Sequence, residues 1–240
     1  MGIATAVSPN GTLDAFIVLL RNANMVSRIA NLYYGRPGAR GSLVIDMGTT
    51  AVGPTRRFAE QLRAREADFL DAPVSGGEIG AIGGQLSIMV GGSESALARA
   101  QPLFDVLGNK TVHIGEVGTG QITKAANQVI VGLNIGAVAE ALTLAKKAGA
   151  DAARVREALL GGFAASRILE VHGQRMIDGA FKPGGKVLTQ YKDLSQAIEL
   201  AEAYGLDLPA TRLNRELYRQ LIDAGDGELD HSALILALDR

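Results

Sequence analysis

Five short runs of consecutive apolar residues, each followed by polar or glycine-rich residues, mark the first half of the chain. Runs of this length, rich in β-branched and aromatic residues, are typical of strands that are buried on both faces of a sheet. Segments with helical spacing separate several of these runs, and the alternation predicts βαβ units and a parallel Rossmann-type sheet. The predicted strands are 14–20, 42–46, 67–72, 87–90 and 111–114, and the predicted helices between them are 22–33 and 54–66.

From about residue 118 the pattern changes to long helical segments that follow one another without strands. These predicted helices are 120–148, 152–160, 166–178, 188–204 and 211–224. We therefore expect an α/β fold with two domains. A partial nucleotide-binding domain over 1–117 would precede an all-α domain for substrate binding and oligomerisation over 118–240.

The composition narrows the classes of partner. The 24 Lys and Arg residues nearly balance the 25 Asp and Glu residues, so the sequence predicts neither a nucleic acid nor a membrane surface as partner. The most apolar stretch, 128–145, contains an asparagine and a glutamate, which favours a buried helix over a membrane span. Cysteine is absent, and His113, His172 and His231 lie far apart in sequence, so no metal site is predicted.

Two turns stand where a parallel sheet places its ligands, after the carboxyl ends of strands. The first is DMGTT, which begins at Asp46, and the second is DAPVSGG, which begins at Asp71. Residues 75–77 of the second turn offer a hydroxyl and exposed backbone N–H groups, a combination that suits a carboxylate ligand. The alternative is that the two glycines only permit a tight turn.

Two lysines carry the remaining candidate chemistry. Lys124 and Asn127 are three residues apart and share one face of an apolar helix. A buried lysine is costly unless it has a partner or a function, and burial lowers its pKa towards the range of a general acid. The alternative is a lysine that extends to solvent from the start of the helix. Lys192 and Asp193, taken alone, are typical of a solvated ion pair.

In combination, these motifs resemble the β-hydroxyacid dehydrogenase family. DAPVSGG (71–77) resembles the substrate-binding signature of the family, GTGQITKAANQ (118–128) its catalytic signature, and YKDL (191–194) a later segment on the cofactor side. Residues 161–176 and the closing LDHSALILAL (229–238) are most similar to the tartronate semialdehyde reductase branch.

The resemblance implies a cytoplasmic, homo-oligomeric (dimeric or tetrameric) oxidoreductase that uses NAD or NADP to reduce tartronate semialdehyde to D-glycerate. Lys124 would be the general acid and base, and Asn127 would orient the substrate. The substrate carboxylate and hydroxyl would bind Ser75, Gly76 and Gly77. Thr49 would lie near the nicotinamide, Lys192 would reach the cofactor, and Asp193 would help to fix that segment.

The chain also departs from the family pattern. No G-x-G-x-x-G turn follows any predicted strand, although this turn normally holds the cofactor pyrophosphate. The later motifs fall about 45 residues early against a complete Rossmann domain, so we expect an N-terminally truncated domain with weakened cofactor binding. Two alternatives remain open: a cofactor-deficient, inactive family member, and a related 3-hydroxyisobutyrate-type dehydrogenase.

Overall fold

The computed structural model describes the backbone of residues 15–18 and all of residues 40–238. The chain divides into two compact units, the first ending at Lys124 and the second beginning at Ala125. The helix predicted over 22–33 lies outside the described residues. The domain boundary predicted after Val117 stays a prediction.

Within residues 15–18 and 40–124, the first unit is built on a six-stranded sheet. Its strands are β1 (Ala15–Val18), β2 (Leu43–Asp46), β3 (Asp68–Asp71), β4 (Val74–Ser75), β5 (Leu86–Gly91) and β6 (Gly108–Gly115). They pair in the order β1-β2-β3-β5-β4, and β6 pairs with β5. The helices of this part of the chain are α1 (Val52–Arg63), α2 (Gly77–Ile82) and α3 (Glu94–Leu107).

The Rossmann-type architecture is confirmed, but the sheet is mixed rather than wholly parallel. Strands β1, β2 and β3 are parallel, and so are β5 and β6, whereas β5 is antiparallel to β3 and β4. The reason is the connection before β5. Only residues 76–85 separate β4 from β5, and a parallel crossover needs about a dozen residues or more. The chain therefore returns as a hairpin.

Apolar residues of the sheet pack on both of its faces. Successive side chains of a strand point to opposite faces, and accordingly Leu70 joins one core cluster while Phe69 joins another. Helix α3, which the hydrophobic pattern does not predict, covers the Leu70 side with Phe104. Ser93 begins this helix by accepting a hydrogen bond from the Ala96 N–H at 3.2 Å. The helix continues through Pro102.

The second unit is helical, as predicted. Its elements are α4 (Thr119–Lys147, whose first turns belong to the first unit), α5 (Ala152–Leu160), α6 (Arg167–Asp178), α7 (Val187–Ala203), α8 (Pro209–Asp223) and a 3-10 helix (His231–Ala237). Side-chain caps from Asp151 and Ser166 accept hydrogen bonds from the first turns of α5 and α6, which satisfies N–H groups that a helix start leaves free.

Helix α4 supplies much of the core of this unit. Ile135, Ala139 and Leu142 are fully or almost fully buried, and they pack in one cluster with Leu194 of α7 and Tyr218 of α8. By length and apolar composition alone this helix is also able to cross a membrane, a test that the core helix of a soluble protein passes equally. Its participation in the cluster agrees with the prediction of a buried helix.

Candidate active site

The carboxyl ends of β2 and β3 lie side by side. Asp46 and Asp71, the last residues of these parallel strands, are partners in the register. The two turns singled out from the sequence therefore leave the same edge of the sheet, the edge at which parallel α/β sheets bind their ligands.

The turn after Asp46 is held by side chains at both ends. The Asp46 carboxylate accepts the Gly48 N–H through Oδ1 at 2.8 Å and the Thr50 hydroxyl through Oδ2 at 3.2 Å. The Thr50 and Thr55 hydroxyls are 2.9 Å apart and hydrogen-bonded, which ties the turn to α1. Thr49 stands between these two fixed positions and is half-buried.

Asp71 accepts hydrogen bonds from the start of α4. Its side chain is fully buried. Oδ1 accepts the Gly118 N–H at 2.7 Å, and Oδ2 accepts the Gln121 N–H at 2.9 Å. Burial raises the pKa of this carboxyl above its ordinary value, and the hydrogen bonds from Gly118 and Gln121 offset only part of that rise. The Asp71 carboxylate therefore lies in surroundings that disfavour its negative charge.

Glycines allow this close approach. A Cβ at Gly120 would lie 2.5 Å from the carbonyl oxygen of Asp71 and 2.6 Å from that of Met89. A Cβ at Gly91 would lie 2.5 Å from Asp71 Oδ1. All three distances are far inside van der Waals contact, so the helix start can approach the end of β3 only with glycine at these positions.

Gln121 joins the two turns. Its side-chain Oε1 accepts the Thr50 N–H at 3.0 Å, and its Nε2 donates to the Gly48 carbonyl at 2.8 Å. The side chain is almost completely buried. One residue therefore binds the end of β3 through its backbone and the turn after β2 through its side chain.

Lys124 follows Gln121 by three residues, one helical turn further along α4. Its side chain is 8% exposed, which agrees with the expectation of a buried lysine and disfavours a side chain that extends into solvent. Its role as general acid stays a prediction.

The turn after β4 contains the predicted carboxylate ligands. Ser75 ends β4 and pairs with Ser87 of β5. Gly76 and Gly77 have φ angles of 136° and 61°, a region that glycine enters without strain. Both glycines are exposed. This conformation meets the need for a tight turn and leaves the proposed role in substrate binding as a prediction.

In the second unit a chain of side chains links Asn127 to the YKDL segment. Asn127 Nδ2 donates to Gln128 Oε1 at 2.8 Å, and Gln128 Nε2 donates to Asp193 Oδ2 at 2.6 Å. Asp193 in turn forms an ion pair with Lys192 at 2.7 Å. Because Asp193 is buried, this pair is not the fully solvated one that its sequence alone suggested.

Two histidines that are distant in sequence lie together in the structure. The Nε2 atoms of His172 and His231 are 3.3 Å apart, and His172 Nδ1 is 3.6 Å from Asp230 Oδ1. The fold thus brings together two histidines that 59 residues separate in sequence. The Asp230 carboxylate already binds the Arg175 guanidinium at 2.7 Å and backbone or hydroxyl donors of Gly184, Gly185 and Ser232.

Both parts of the chain match known nicotinamide-dependent enzymes. Residues 3–115 match the NAD-binding domain of 6-phosphogluconate dehydrogenase, and residues 118–238 match the NAD-binding domain of NADP-dependent 3-hydroxyisobutyrate dehydrogenase. The sequence is 52% identical to 2-hydroxy-3-oxopropionate reductase of Escherichia coli K12, over all of this chain and 82% of that protein. The chain belongs to the β-hydroxyacid dehydrogenase family.

Solved structures of the β-hydroxyacid dehydrogenase family share the fold. The 3-hydroxyisobutyrate dehydrogenase of Salmonella typhimurium superimposes with a TM-score of 0.84 at 29% identity, over 94% of this chain and 79% of that chain. The Mycobacterium tuberculosis 3-hydroxyisobutyrate dehydrogenase, solved with L-serine, superimposes with a TM-score of 0.80 at 31% identity, over 95% and 80%. The protein is an NAD(P)-dependent oxidoreductase of the hydroxyacid dehydrogenase class.

The first unit of this family member fits a nicotinamide dinucleotide along the carboxyl edge of its sheet. The turn after β2 is fixed by Asp46 and Gln121 and presents the half-buried Thr49. A pre-ordered polar turn at this edge is the usual place for the cofactor in open parallel sheets.

Three residues of the family motifs have contacts that the sequence did not reveal. Asp71, Gln121 and Gln128 all lie inside quoted motifs and are buried. A signal was present, because each is a polar residue beside apolar neighbours, and such a residue needs a specific partner when it is buried. The sequence could not show which partner each residue would find.

Proposed function

We propose that this family member reduces tartronate semialdehyde (2-hydroxy-3-oxopropanoate) to D-glycerate with NADH or NADPH. The observation that carries the proposal is the 52% identity, across the whole chain, to the E. coli enzyme named for this reaction. A buried lysine in the first turns of α4 supplies the group that the chemistry requires.

The reduction needs a hydride and a proton. A bound NADH or NADPH would supply the hydride to the aldehyde carbon, and the C=O π electrons would move to oxygen. The Lys124 ammonium stabilises the developing negative charge and gives this oxygen its proton. The products are the primary alcohol of D-glycerate and the oxidised nicotinamide, and Lys124 regains a proton from solvent. In the reverse direction neutral Lys124 removes the alcohol proton.

The substrate is an acid, and its carboxylate needs hydrogen-bond donors. In our proposal Ser75, Gly76 and Gly77 bind the substrate carboxylate and hydroxyl, and Asn127 orients the substrate beside Lys124. Positive φ angles at the two glycines support this assignment, since successive backbone N–H groups in such turns form a concave anion site.

The residues proposed to bind the cofactor lie on segments that hydrogen bonds or an ion pair hold in place. Thr49 would lie near the nicotinamide, on the turn that Asp46 and Gln121 hold. Lys192 would interact with the cofactor, and Asp193 would hold Lys192 through the ion pair at 2.7 Å. A lysine kept in place by a buried carboxylate loses less conformational entropy on binding than a free one.

A second candidate is a 3-hydroxyisobutyrate-type dehydrogenase, which the two structural relatives favour. The substrates of the two enzymes are both small three-carbon-chain acids. They differ at C2, where the tartronate-type substrate carries a hydroxyl and the isobutyrate-type substrate carries a methyl group. A site that hydrogen-bonds the hydroxyl discriminates strongly against the substrate that lacks it, so the assay compares the two substrates directly.

We also propose that the protein is a cytoplasmic homodimer or homotetramer. Large apolar side chains of the second unit are exposed, among them Ile130 and Leu144 of α4 and Leu213 of α8, and apolar exposure of this kind is common at subunit contacts. Light scattering would measure the mass in solution.

The test is oxidation of NADH and of NADPH with tartronate semialdehyde or methylmalonate semialdehyde as substrate. We expect the higher kcat/KM with tartronate semialdehyde, and a fall in rate of about 10²–10⁴-fold for Lys124→Ala. Lys110→Ala, at an exposed position on β6, is the matched control and should keep the full rate. A faster reaction with methylmalonate semialdehyde would favour the second candidate.

A further inference from the structure

We propose that Asp71 and Gln121 are positioning residues that fix the first turn of α4, and with it Lys124, against the carboxyl edge of the sheet. The proposal rests on the function proposed above, because it gives these two residues their effect through Lys124. It concerns residues of the first unit only.

The Asp71 carboxylate anchors the main chain at the start of α4. The first N–H groups of an α-helix have no partner within the helix, and their positive end of the helix dipole favours an anion. Usually a serine or aspartate immediately before the helix fills this role. Here the carboxylate comes from Asp71, 47 residues before Gly118 and 50 before Gln121 in sequence. The start of α4 is therefore tied to the end of β3.

The Gln121 side chain ties the same helix to the turn after β2. Gln121 Oε1 and Nε2 bind the Thr50 N–H and the Gly48 carbonyl, the residues on either side of Thr49. A shift of this turn consequently moves the Gln121 side chain, whose own N–H is held by Asp71 at 2.9 Å. The turn proposed to meet the cofactor and the helix that carries Lys124 are joined by one residue.

Gln121, the residue held in this way, is close to Lys124 along α4. Lys124 lies three residues after Gln121, so the two side chains are neighbours on the helix surface, with about 4.5 Å of rise between them. Within one helical turn the backbone transmits a displacement almost undiminished. A misplacement of about 1 Å at a reacting group can lower a rate by about 100-fold.

The test uses two substitutions of similar size in the whole protein. Gln121→Glu keeps an acceptor for the Thr50 N–H and replaces the donor to the Gly48 carbonyl by a second oxygen. Asp71→Asn keeps one acceptor and turns an NH₂ group towards one of the two backbone N–H donors. Gln101→Ala, on α3 where the glutamine side chain donates a hydrogen bond to Asp105 of the same helix, is the control.

We expect kcat to fall by about 10- to 100-fold in both variants, with the KM for the semialdehyde within about threefold of the original because the turn at Ser75 is unchanged. Gln101→Ala should retain kcat. Thermal unfolding and fluorescence titration with NADPH would show that the variants are folded. If Asp71→Asn does not fold, Gln121→Asn provides the same test, since it shortens the side chain and leaves the Asp71 hydrogen bonds in place.

The decisive measurement repeats both substitutions in the Lys124→Ala background. If Asp71 and Gln121 act through Lys124, each substitution should change the residual rate by less than about twofold there. The proposal is overturned if the same 10- to 100-fold loss appears with and without Lys124, or if neither variant loses rate in its presence. Failure of the proposed function would look different: the original protein would not oxidise NADH or NADPH with tartronate semialdehyde, or Lys124→Ala alone would keep the full rate.

Discussion

Asp71 of the first unit and Asp230 of the second are both fully buried carboxylates, yet their surroundings shift their pKa values in opposite directions. Burial raises the pKa of Asp71, which accepts hydrogen bonds from the backbone N–H groups of Gly118 and Gln121. Burial would raise the pKa of Asp230 as well, but the neighbouring imidazoles of His172 and His231 and the hydrogen bonds from Ser232 outweigh it and hold that pKa well below the usual range.

The difference separates a residue of the candidate site from a residue that links structural elements. Asp230 joins Arg175 of α6 and the backbone of 184–185 to the start of the 3-10 helix, so several elements lose their link if it is removed. Asp71 stabilises its surroundings less, because part of its hydrogen-bond energy offsets the cost of a buried charge. Strained or poorly compensated charges cluster at active sites, and Asp71 lies at the candidate site.

The largest effect on stability is expected for Asp230→Asn. The substitution removes the charge that pairs with the Arg175 guanidinium at 2.7 Å and leaves that cation partly buried without its partner. We expect a loss of about 3–5 kcal/mol in the free energy of unfolding at neutral pH, measured by urea denaturation. Asp178→Asn, at an exposed position of α6, should change stability by less than about 0.5 kcal/mol. Equal losses of stability in the two variants would contradict the structural role of Asp230.

Gly120→Ala should have a smaller but specific effect. Its new Cβ would meet the carbonyl oxygens of Asp71 and Met89, so the start of α4 must move away from the sheet. We expect a loss of about 1–3 kcal/mol of stability and a fall in kcat larger than this loss of folded protein explains. Gly162→Ala, where a Cβ meets nothing within 4 Å, is the control. Normal kcat in Gly120→Ala would argue against a close helix–sheet contact.

The smallest expected effect is a difference between Asp71 and Asp230 in how each makes stability depend on pH. The folded-state pKa of Asp230 lies below its unfolded value near 3.8, so its contribution is complete above that pH and is lost as pH falls below it. The folded-state pKa of Asp71 lies above the same value, so the folded state gains stability as pH falls through it. Urea midpoints against pH for the wild type, Asp71→Asn and Asp230→Asn should show these opposite slopes. Parallel curves would contradict the assignment.

The helices of the second unit could be predicted from sequence almost to the residue. Their 3.6-residue periodicity is long and uninterrupted, and residues such as Asp151 and Ser166 mark their starts. The direction of β5 could not be predicted, because it depends on the length of the connection after β4 rather than on the strand itself. The two-residue strand β4 and the short helix α2 are too brief for any period to appear.

The candidate site likewise has a part that could be predicted from the sequence and a part that could not. The motifs identified Lys124 and the turn at Ser75, because their residue types carry recognisable chemistry. The partners of Asp71 and Gln121 lie 50 and 71 residues away in sequence, and such contacts depend on the packing of the sheet. His172 and His231 are likewise separated by 59 residues and meet only in the fold. The sequence therefore indicates which residue types carry the candidate chemistry, but it does not indicate which residues contact one another in the fold.

The measurement that tests the account most directly is the rate of NADPH or NADH oxidation with tartronate semialdehyde in Lys124→Ala, without and with added methylamine. We predict a rate lowered by about 10²–10⁴-fold, unchanged cofactor binding, and partial recovery when the amine replaces the missing ammonium. A variant that reduces the semialdehyde at the rate of the original protein would contradict the assignment of Lys124 as proton donor.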